Sequence, residues 1–256
     1  MPMSQGDFCW YELMTSDPKA AEAFYTRTIG WEAADAGMPG MDYTLFRVGA
    51  APIAGLMEIP ERAAQSGAQP AWMGHLAVDD VDATAKAVVD AGGAVHHGPE
   101  DVPGIGRFAV VGDPQGAVIC LFRGDGAPPP SLATGTPGTF GWHELFTDDP
   151  EAAFAFYASH FGWEKMDAMD MGPMGVYQIF GKGGTMMGAM MRRPPEVPVS
   201  AWGYYIAVDA IDAAIERLTS GGGKVVNGPM EVPGSNWIVQ CFDPQGAYFA
   251  MVAPKR

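Results

Sequence analysis

The sequence predicts an α+β chain of two tandem domains, each made from a pair of β-α-β-β-β units, and three observations carry that prediction. The first is an internal repeat, which has to be sought before any other reading of a fold. Trp10-Tyr11-Glu12-Leu13-Met14-Thr15-Ser16-Asp17-Pro18 returns as Trp142-His143-Glu144-Leu145-Phe146-Thr147-Asp148-Asp149-Pro150, a shift of 132 positions. Ala23-Phe24-Tyr25 and Ile29-Gly30-Trp31 recur at the same shift as Ala155-Phe156-Tyr157 and Phe161-Gly162-Trp163. Ala77-Val78-Asp79 and Asp113-Pro114-Gln115-Gly116-Ala117 recur at a shift of 130 as Ala207-Val208-Asp209 and Asp243-Pro244-Gln245-Gly246-Ala247, so one small deletion separates the copies. The second observation is a Gly/Pro-rich joint, Gly124-Asp125-Gly126-Ala127-Pro128-Pro129-Pro130, which no helix or ladder tolerates. It divides the chain into a domain at 1–124, a linker at 125–134 and a domain at 135–256. The third is a smaller echo inside each half, in which a strand and an Asp-led helix are followed by further strands and the order then repeats.

Taken in chain order, residues 7–15 read as a strand. Asp17-Pro18 then supplies a helix N-cap and a proline at the first helical position. Ala20, Ala21, Phe24, Tyr25 and Thr28 keep helical spacing up to Gly30. Strands follow near Tyr43–Val48 and Ile53–Glu58, joined through Gly49-Ala50-Ala51-Pro52. A strand at 72–78, a helix over Asp80–Ala91 ending at Gly92-Gly93, and a hairpin of 107–111 with 117–122 complete the half. The hairpin turns at Asp113-Pro114-Gln115-Gly116, whose Asp, Pro and Gly suit the first, second and fourth turn positions.

Composition narrows the function classes. Of 256 residues 48% are hydrophobic and 18% charged, an ordinary globular balance that allows real cores. The formal charge of −15 repels phosphate backbones and anionic membranes, so neither nucleic acid nor a membrane is expected as a partner. Cys9, Cys120 and Cys241 are too few, and odd in number, for a disulfide framework. No basic leader or apolar run of about 18 residues is present. The expectation is a cytoplasmic protein acting on a small molecule, as a two-domain monomer or a homodimer.

An Asp-led helix ending in Phe-Tyr, with an Asp-Pro-x-Gly turn before the last strand, resembles the vicinal oxygen chelate superfamily of glyoxalases, bleomycin-resistance proteins and extradiol dioxygenases. The Trp-x-Glu-Leu opening and the Asp-Pro-Gln-Gly-Ala close are similar to two-domain glyoxalase-like proteins that also carry a hydroxylase label. The resemblance covers nearly the whole chain. It implies that each domain curls a mixed sheet into a half-barrel, with helices outside and a ligand cavity inside.

The resemblance also implies three ligand places for a divalent metal in each domain. They fall on Trp10, Met73 and Cys120 in the first half and on Trp142, Gly203 and Ala250 in the second. Oxygen and imidazole donors are missing there, so no cofactor is expected. A slip of two residues keeps the inward direction of a strand side chain. It would bring Glu12 and His75 into two places with Phe122 in the third, and Glu144, Tyr205 and Val252 in the second half. Glu12 and His75 are therefore the fallback pair if a divalent metal binds.

Alternation puts Trp10, Glu12 and Met14 on one face of the first strand, and Trp142, Glu144 and Phe146 on one face of its repeat. A carboxylate among large apolar groups has its pKa raised or accepts hydrogen bonds, which makes Glu12 and Glu144 candidate acids or bases as well as candidate structural groups. His75 is a candidate partner of Glu12, and its counterpart is Tyr205. His96, His97, His143 and His160 read as surface or packing residues. Pocket candidates are Trp10, Met14, Trp72, Met73 and Cys120 with Trp142, Phe146, Trp202, Tyr205 and Ala250. The 17 methionines, clustered at Met186-Met187 and Met190-Met191, suit either irregular packing or a pocket for a flat molecule. No phosphate-binding loop, dinucleotide fingerprint or nucleophile elbow occurs. The readings left are metal-independent binding of a hydrophobic or aromatic molecule, and an enzyme of lyase, isomerase or dioxygenase type using Glu12, His75 or Glu144.

Overall fold

The structure, a computed structural model, describes residues 4–38, 40–126, 130 and 132–256; part of the expected linker lies outside the described residues. The first half runs β1 (Phe8–Thr15), α1 (Pro18–Ile29), β2 (Glu32–Asp35), β3 (Thr44–Val48), β4 (Ala51–Glu58), a short α2 (Glu61–Gln65) and β5 (Ala71–Ala77). It continues with α3 (Val81–Asp90), β6 (Ala94–Val102), β7 (Gly106–Gly112) and β8 (Val118–Gly124). The second half repeats this as β9 (Phe140–Thr147), α4 (Pro150–Phe161), β10 (Glu164–Asp170), β11 (Val176–Lys182), β12 (Thr185–Arg192) and β13 (Ala201–Ala207). It closes with α5 (Ile211–Ser220), β14 (Lys224–Val232), β15 (Asn236–Phe242) and β16 (Tyr248–Ala253).

Each half contributes one eight-stranded mixed sheet, in the orders β2-β3-β4-β1-β5-β8-β7-β6 and β10-β11-β12-β9-β13-β16-β15-β14. This is the α+β duplication of β-α-β-β-β units, with a curled half-barrel sheet, that the sequence predicts. Within each unit the last strand returns parallel to the first, as in β1 with β4 and β5 with β8, because the helix carries the chain across the sheet. No helix among the described residues is long and apolar enough to cross a membrane.

The predicted helix starts hold. Asp17 Oδ1 accepts the Ala20 N–H at 3.0 Å, and Asp149 Oδ1 accepts those of Glu151 and Ala152 at 3.1 Å. Gly30 and Gly162 end α1 and α4 at φ of 89° and 69°, a conformation that costs glycine nothing. The reading of the sequence found two strands after each helix of the first half, whereas three are present; β2 and β6 went unseen. Both are edge strands with mostly exposed or half-exposed residues, so little apolar alternation marks them.

Packing divides the described residues differently from the sheets. One compact unit draws on residues 1–10, 73–128 and 142–203, the other on 11–72, 129–141 and 204–256. In the second of these, the Trp72 indole N–H donates to the Tyr25 hydroxyl at 2.8 Å, which donates to Asp243 Oδ2 at 3.2 Å. Asp243 Oδ1 meanwhile accepts the Gln245 and Ala247 amides of its own turn. The other unit repeats the chain: Trp202 donates to Tyr157 at 3.0 Å, Tyr157 donates to Asp113 Oδ2 at 3.1 Å, and Asp113 Oδ1 accepts the Gln115 and Ala117 amides. Burial raises the pKa of Asp113 and Asp243, and the hydrogen bonds oppose that rise.

Around each chain lies an aromatic cluster. Trp31 stacks on Phe46 with centroids 4.9 Å apart, and Phe140 stands edge-on to Trp72 at 5.4 Å. Trp163 stacks on Phe180 at 4.4 Å, and Phe8 stands edge-on to Trp202 at 5.8 Å. The Trp31 indole donates to the Gly138 carbonyl at 2.8 Å and the Trp163 indole to the Gly6 carbonyl at 2.9 Å. Both glycines have positive φ, and a Cβ on Gly138 would stand 2.9 Å from the Trp31 nitrogen. Tyr25→Phe and Tyr157→Phe each strip a partner from a buried indole and a buried carboxylate. Each should cost about 1–3 kcal/mol in urea unfolding; a loss within error would show the chains to be unimportant.

Candidate functional site

Glu12 lies on β1 directly opposite Gly55 of β4. The flanking Leu13 is fully buried opposite Leu56, so alternation turns Glu12 to the other face. Tyr43, just ahead of β3, donates its hydroxyl to Glu12 Oε1 at 2.8 Å. The phenol reaches the carboxylate by lying over β4, because a Cβ on Gly55 would come within 1.8 Å of the Tyr43 oxygen. Burial raises the pKa of Glu12 above the ordinary carboxylate value, and the bond from Tyr43 opposes the rise.

The second half builds the same pair. Glu144 on β9 is 4% exposed and stands opposite Ala189 of β12. Tyr177 on β11 donates to Glu144 Oε1 at 2.8 Å and accepts the Trp142 indole N–H at 2.8 Å. Indole, phenol and carboxylate therefore form a directed chain in which each proton points toward the negative charge. Sequence reasoning found both carboxylates and missed both tyrosines. Their signal was present: Tyr43 and Tyr177 each sit at the entry to the strand that follows β2 or β10, at a shift of 134.

On the other units the halves differ. His75 on β5 is buried opposite Cys120, its ring edge-on to Phe122 with centroids 6.3 Å apart. Its Nδ1 is buried without a hydrogen-bond partner. Burial lowers its pKa to about 4, and a hydrogen bond that the ring donates to the Met73 backbone opposes the fall. Glu12 accepts from Tyr43, while the His75 ring packs against Phe122. Tyr205, at the corresponding place, faces Ala250 and accepts from Gln240 at 3.1 Å, while Asn227 donates to Gln240 at 3.2 Å.

Trp10 and Met14 are half-buried, and Met73, Cys120, Phe146 and Ala250 are buried. Trp72 and Trp202 are buried. Each is held by the helix tyrosine described above, and alternation forbids Trp72 from sharing a face with its neighbour Met73. His143 is a packing residue as expected: it stacks on Phe8 at 3.6 Å, its Nδ1 meets the Met187 carbonyl at 2.6 Å, and burial lowers its pKa to about 4. A groove of about 380 Å³ beside α4, lined by Ala91, Gln115, Phe156 and His160 among others, contains none of the candidate residues.

The metal places implied by the resemblance do not fit a divalent ion. Trp10, Met73, Trp142, Gly203 and Ala250 offer no donor, and the Cys120 thiol is buried and donates to the Leu121 carbonyl at 3.4 Å. Among the described residues no group of three or more His, Cys, Asp and Glu side chains could hold a metal ion. The fallback pair supplies only two donors, and one of them already accepts the Tyr43 hydroxyl.

A duplicated β-α-β-β-β sheet of this strand order defines a glyoxalase-type scaffold. Residues 8–121 and 139–251 each match the Glyoxalase/Bleomycin resistance protein/Dioxygenase superfamily, and the chain belongs to that family. It is 34% identical over 253 residues to the "Putative glyoxylase CFP32" of Mycobacterium tuberculosis, covering 98% of this chain and 95% of that one. It is 33% identical over 256 residues to the anthracycline biosynthesis protein DnrV of Streptomyces peucetius, covering 95% and 91%. Among solved structures, the Mn(II)-bound glyoxalase from Novosphingobium aromaticivorans superposes with a TM-score of 0.66 at 20% identity, over 98% of this chain and 82% of that one. The 2,3-dioxygenase LapB from Pseudomonas sp. KL28 gives 0.66 at 11% identity, over 98% and 93%. Likeness at these identities shows the fold alone.

Two outcomes follow. His75 and His143 have folded-state pKa values of about 4 against 6.5 for a free histidine. The stability their neutral forms confer is complete above pH 6.5 and is lost as pH falls toward 4, by about 3 kcal/mol for each. Unfolding measured from pH 7 to 4 should show this loss, and His143→Phe should flatten it. Tyr43→Phe removes the bond that lowers the Glu12 pKa, so the Glu12 carboxyl followed by NMR should titrate higher than in the parent protein.

Proposed function

We propose that this protein binds a hydrophobic or aromatic small molecule against the inner faces of its sheets, without the metal triad usual in its superfamily. The observation that carries the reading is the replacement of all six ligand places by Trp, Met, Cys, Gly and Ala, beside carboxylates already engaged by tyrosines. Half-buried Trp10, Met14, Trp142 and Tyr177 supply apolar and aromatic contact area, and a buried carboxylate supplies one oriented polar group. A relative named for anthracycline biosynthesis fits an aromatic ligand. The protein works on a small molecule in the cytoplasm, with neither nucleic acid nor membrane as partner.

A second reading, an enzyme of lyase, isomerase or oxygenase type, rests on Glu12. Its raised pKa and its bond from Tyr43 suit a carboxyl that takes and returns a proton. The relative named as a glyoxylase agrees with this class.

Native mass spectrometry and elemental analysis of purified protein, before and after exhaustive chelation, separate the two. Binding predicts that the chelated protein keeps its ligand and its affinity. A stoichiometric divalent ion whose removal abolishes binding would defeat the metal-free reading. Full turnover by Glu12→Gln and His75→Ala would remove the enzymatic roles of those residues.

A further inference from the structure

The end of β10 and the loop to β11 read Met169-Asp170-Met171-Gly172-Pro173-Met174-Gly175, with three methionines in a short stretch of chain. The loop is a built turn. Asp170 Oδ1 accepts the Gly172 N–H at 2.8 Å, the Met171 N–H donates to the Gly175 carbonyl at 2.8 Å, and the Met174 N–H donates to the Met171 carbonyl at 3.4 Å. Gly172 and Gly175 stand at φ of 62° and 83°, which lets the chain fold back without strain. A turn closed in this way keeps the Cα atoms of Met171 and Met174 within about 7 Å of each other. Met171 is 37% and Met174 50% exposed, and Met169 is half-buried. Side chains so exposed add little to a core, so packing does not account for the pair.

The first half carries a shorter form of the same device. Met38-Pro39-Gly40-Met41 lies in the corresponding loop ahead of Tyr43, and the Met41 N–H again donates to the Met38 carbonyl at 3.4 Å. Glycine and proline change places between the copies, while both methionines keep their spacing. Ala36, whose N–H binds the Tyr43 carbonyl at 2.9 Å, stands where the second half has Met169 opposite Tyr177. The first turn therefore offers two thioethers, and the second offers three.

We propose that Met169, Met171 and Met174 form a binding site for a soft univalent cation of the copper(I) kind, held through thioether sulfur. Soft sulfur ligands select copper(I), whereas the hard divalent ions prefer carboxylate and carbonyl oxygen. Methionine is unbranched and has three rotatable bonds, so sulfurs that start from one turn can close on one ion. Thioethers are uncharged and leave the ion its full charge. The Asp170 carboxylate within the turn and the net charge of −15 on the chain both favour a cation there. None of the three methionines belongs to the six metal places implied by the resemblance, and the site does not depend on the small-molecule reading above.

The test uses silver(I), which shares the charge and softness of copper(I) without its oxidation. It is added as the nitrate, in chloride-free buffer, to the full chain with methionine methyl groups labelled with carbon-13. The Met169, Met171 and Met174 signals should move together and saturate at one ion per chain, with Met38 and Met41 following at about tenfold higher silver(I). Met186, 53% exposed on β12, is the control and should stay in place while the loop saturates. Cys9→Ser, which lacks the half-buried thiol that competes for silver(I), should give the same order of response. Met171→Leu and Met174→Leu keep the size of the side chain and should each bind about tenfold more weakly, with unchanged urea unfolding. Movement of Met186 alongside the loop signals, earlier movement of Met38 and Met41, full affinity in both leucine variants, or no movement of any methionine signal would each overturn the inference.

Discussion

Tyr25 and Tyr157 each join three separate stretches of chain through one hydroxyl. A helix supplies the phenol, the opening of a strand supplies the indole that donates to it, and a Asp-Pro-Gln-Gly turn supplies the carboxylate that accepts from it. The carboxylate is shared between the tyrosine and two amides of its own turn, so the turn cannot shift without breaking the side-chain chain. Because these groups are buried, each unmade bond costs more than it contributes when made. That asymmetry explains why the same three residue types stand in both compact units, while surface positions between them have drifted.

The candidate sites inherit their rigidity from this arrangement. The first strand of each half presents one face to the aromatic packing and the other to Glu12 or Glu144, with Leu13 and Leu145 fully buried between. A carboxylate on such a strand cannot turn away from its apolar neighbours, so it is held by a phenol instead. Function then varies through what surrounds the fixed pair: glycine, alanine and methionine on the neighbouring strands in one half, methionine and phenylalanine in the other. His75 and Tyr205 differ in the same way, one a buried neutral imidazole and the other a phenol within an amide row.

Much of this was legible in the residues. The shift of 132, the helix caps at Asp17 and Asp149, the hairpin at Asp113 and the placement of Glu12 and Glu144 on the face opposite Leu13 and Leu145 all follow from short-range rules of spacing and alternation. Tyr43, Tyr177 and Gln240 were not legible, because their roles depend on which strands become neighbours. The tyrosine partners of the Trp72 and Trp202 indoles were not legible for a related reason. A tryptophan at a strand opening gives no sign of whether a tyrosine from a helix will meet its indole nitrogen.

The sequence alone determined that there are two copies of one scaffold and where their helices and turns fall. These are local matters, fixed by residues a few positions apart. Only the tertiary structure decided that each compact unit draws on both copies, with residues 73–128 joining 142–203 and residues 11–72 joining 204–256. Repeats that share their helix tyrosine, strand tryptophan and Asp-Pro-Gln-Gly turn carry the same hydrogen-bonding groups, so the sequence does not tell packing within a copy from packing across copies. The choice is made where Tyr25 finds Asp243 and Tyr157 finds Asp113, through contacts between residues more than two hundred and more than forty positions apart.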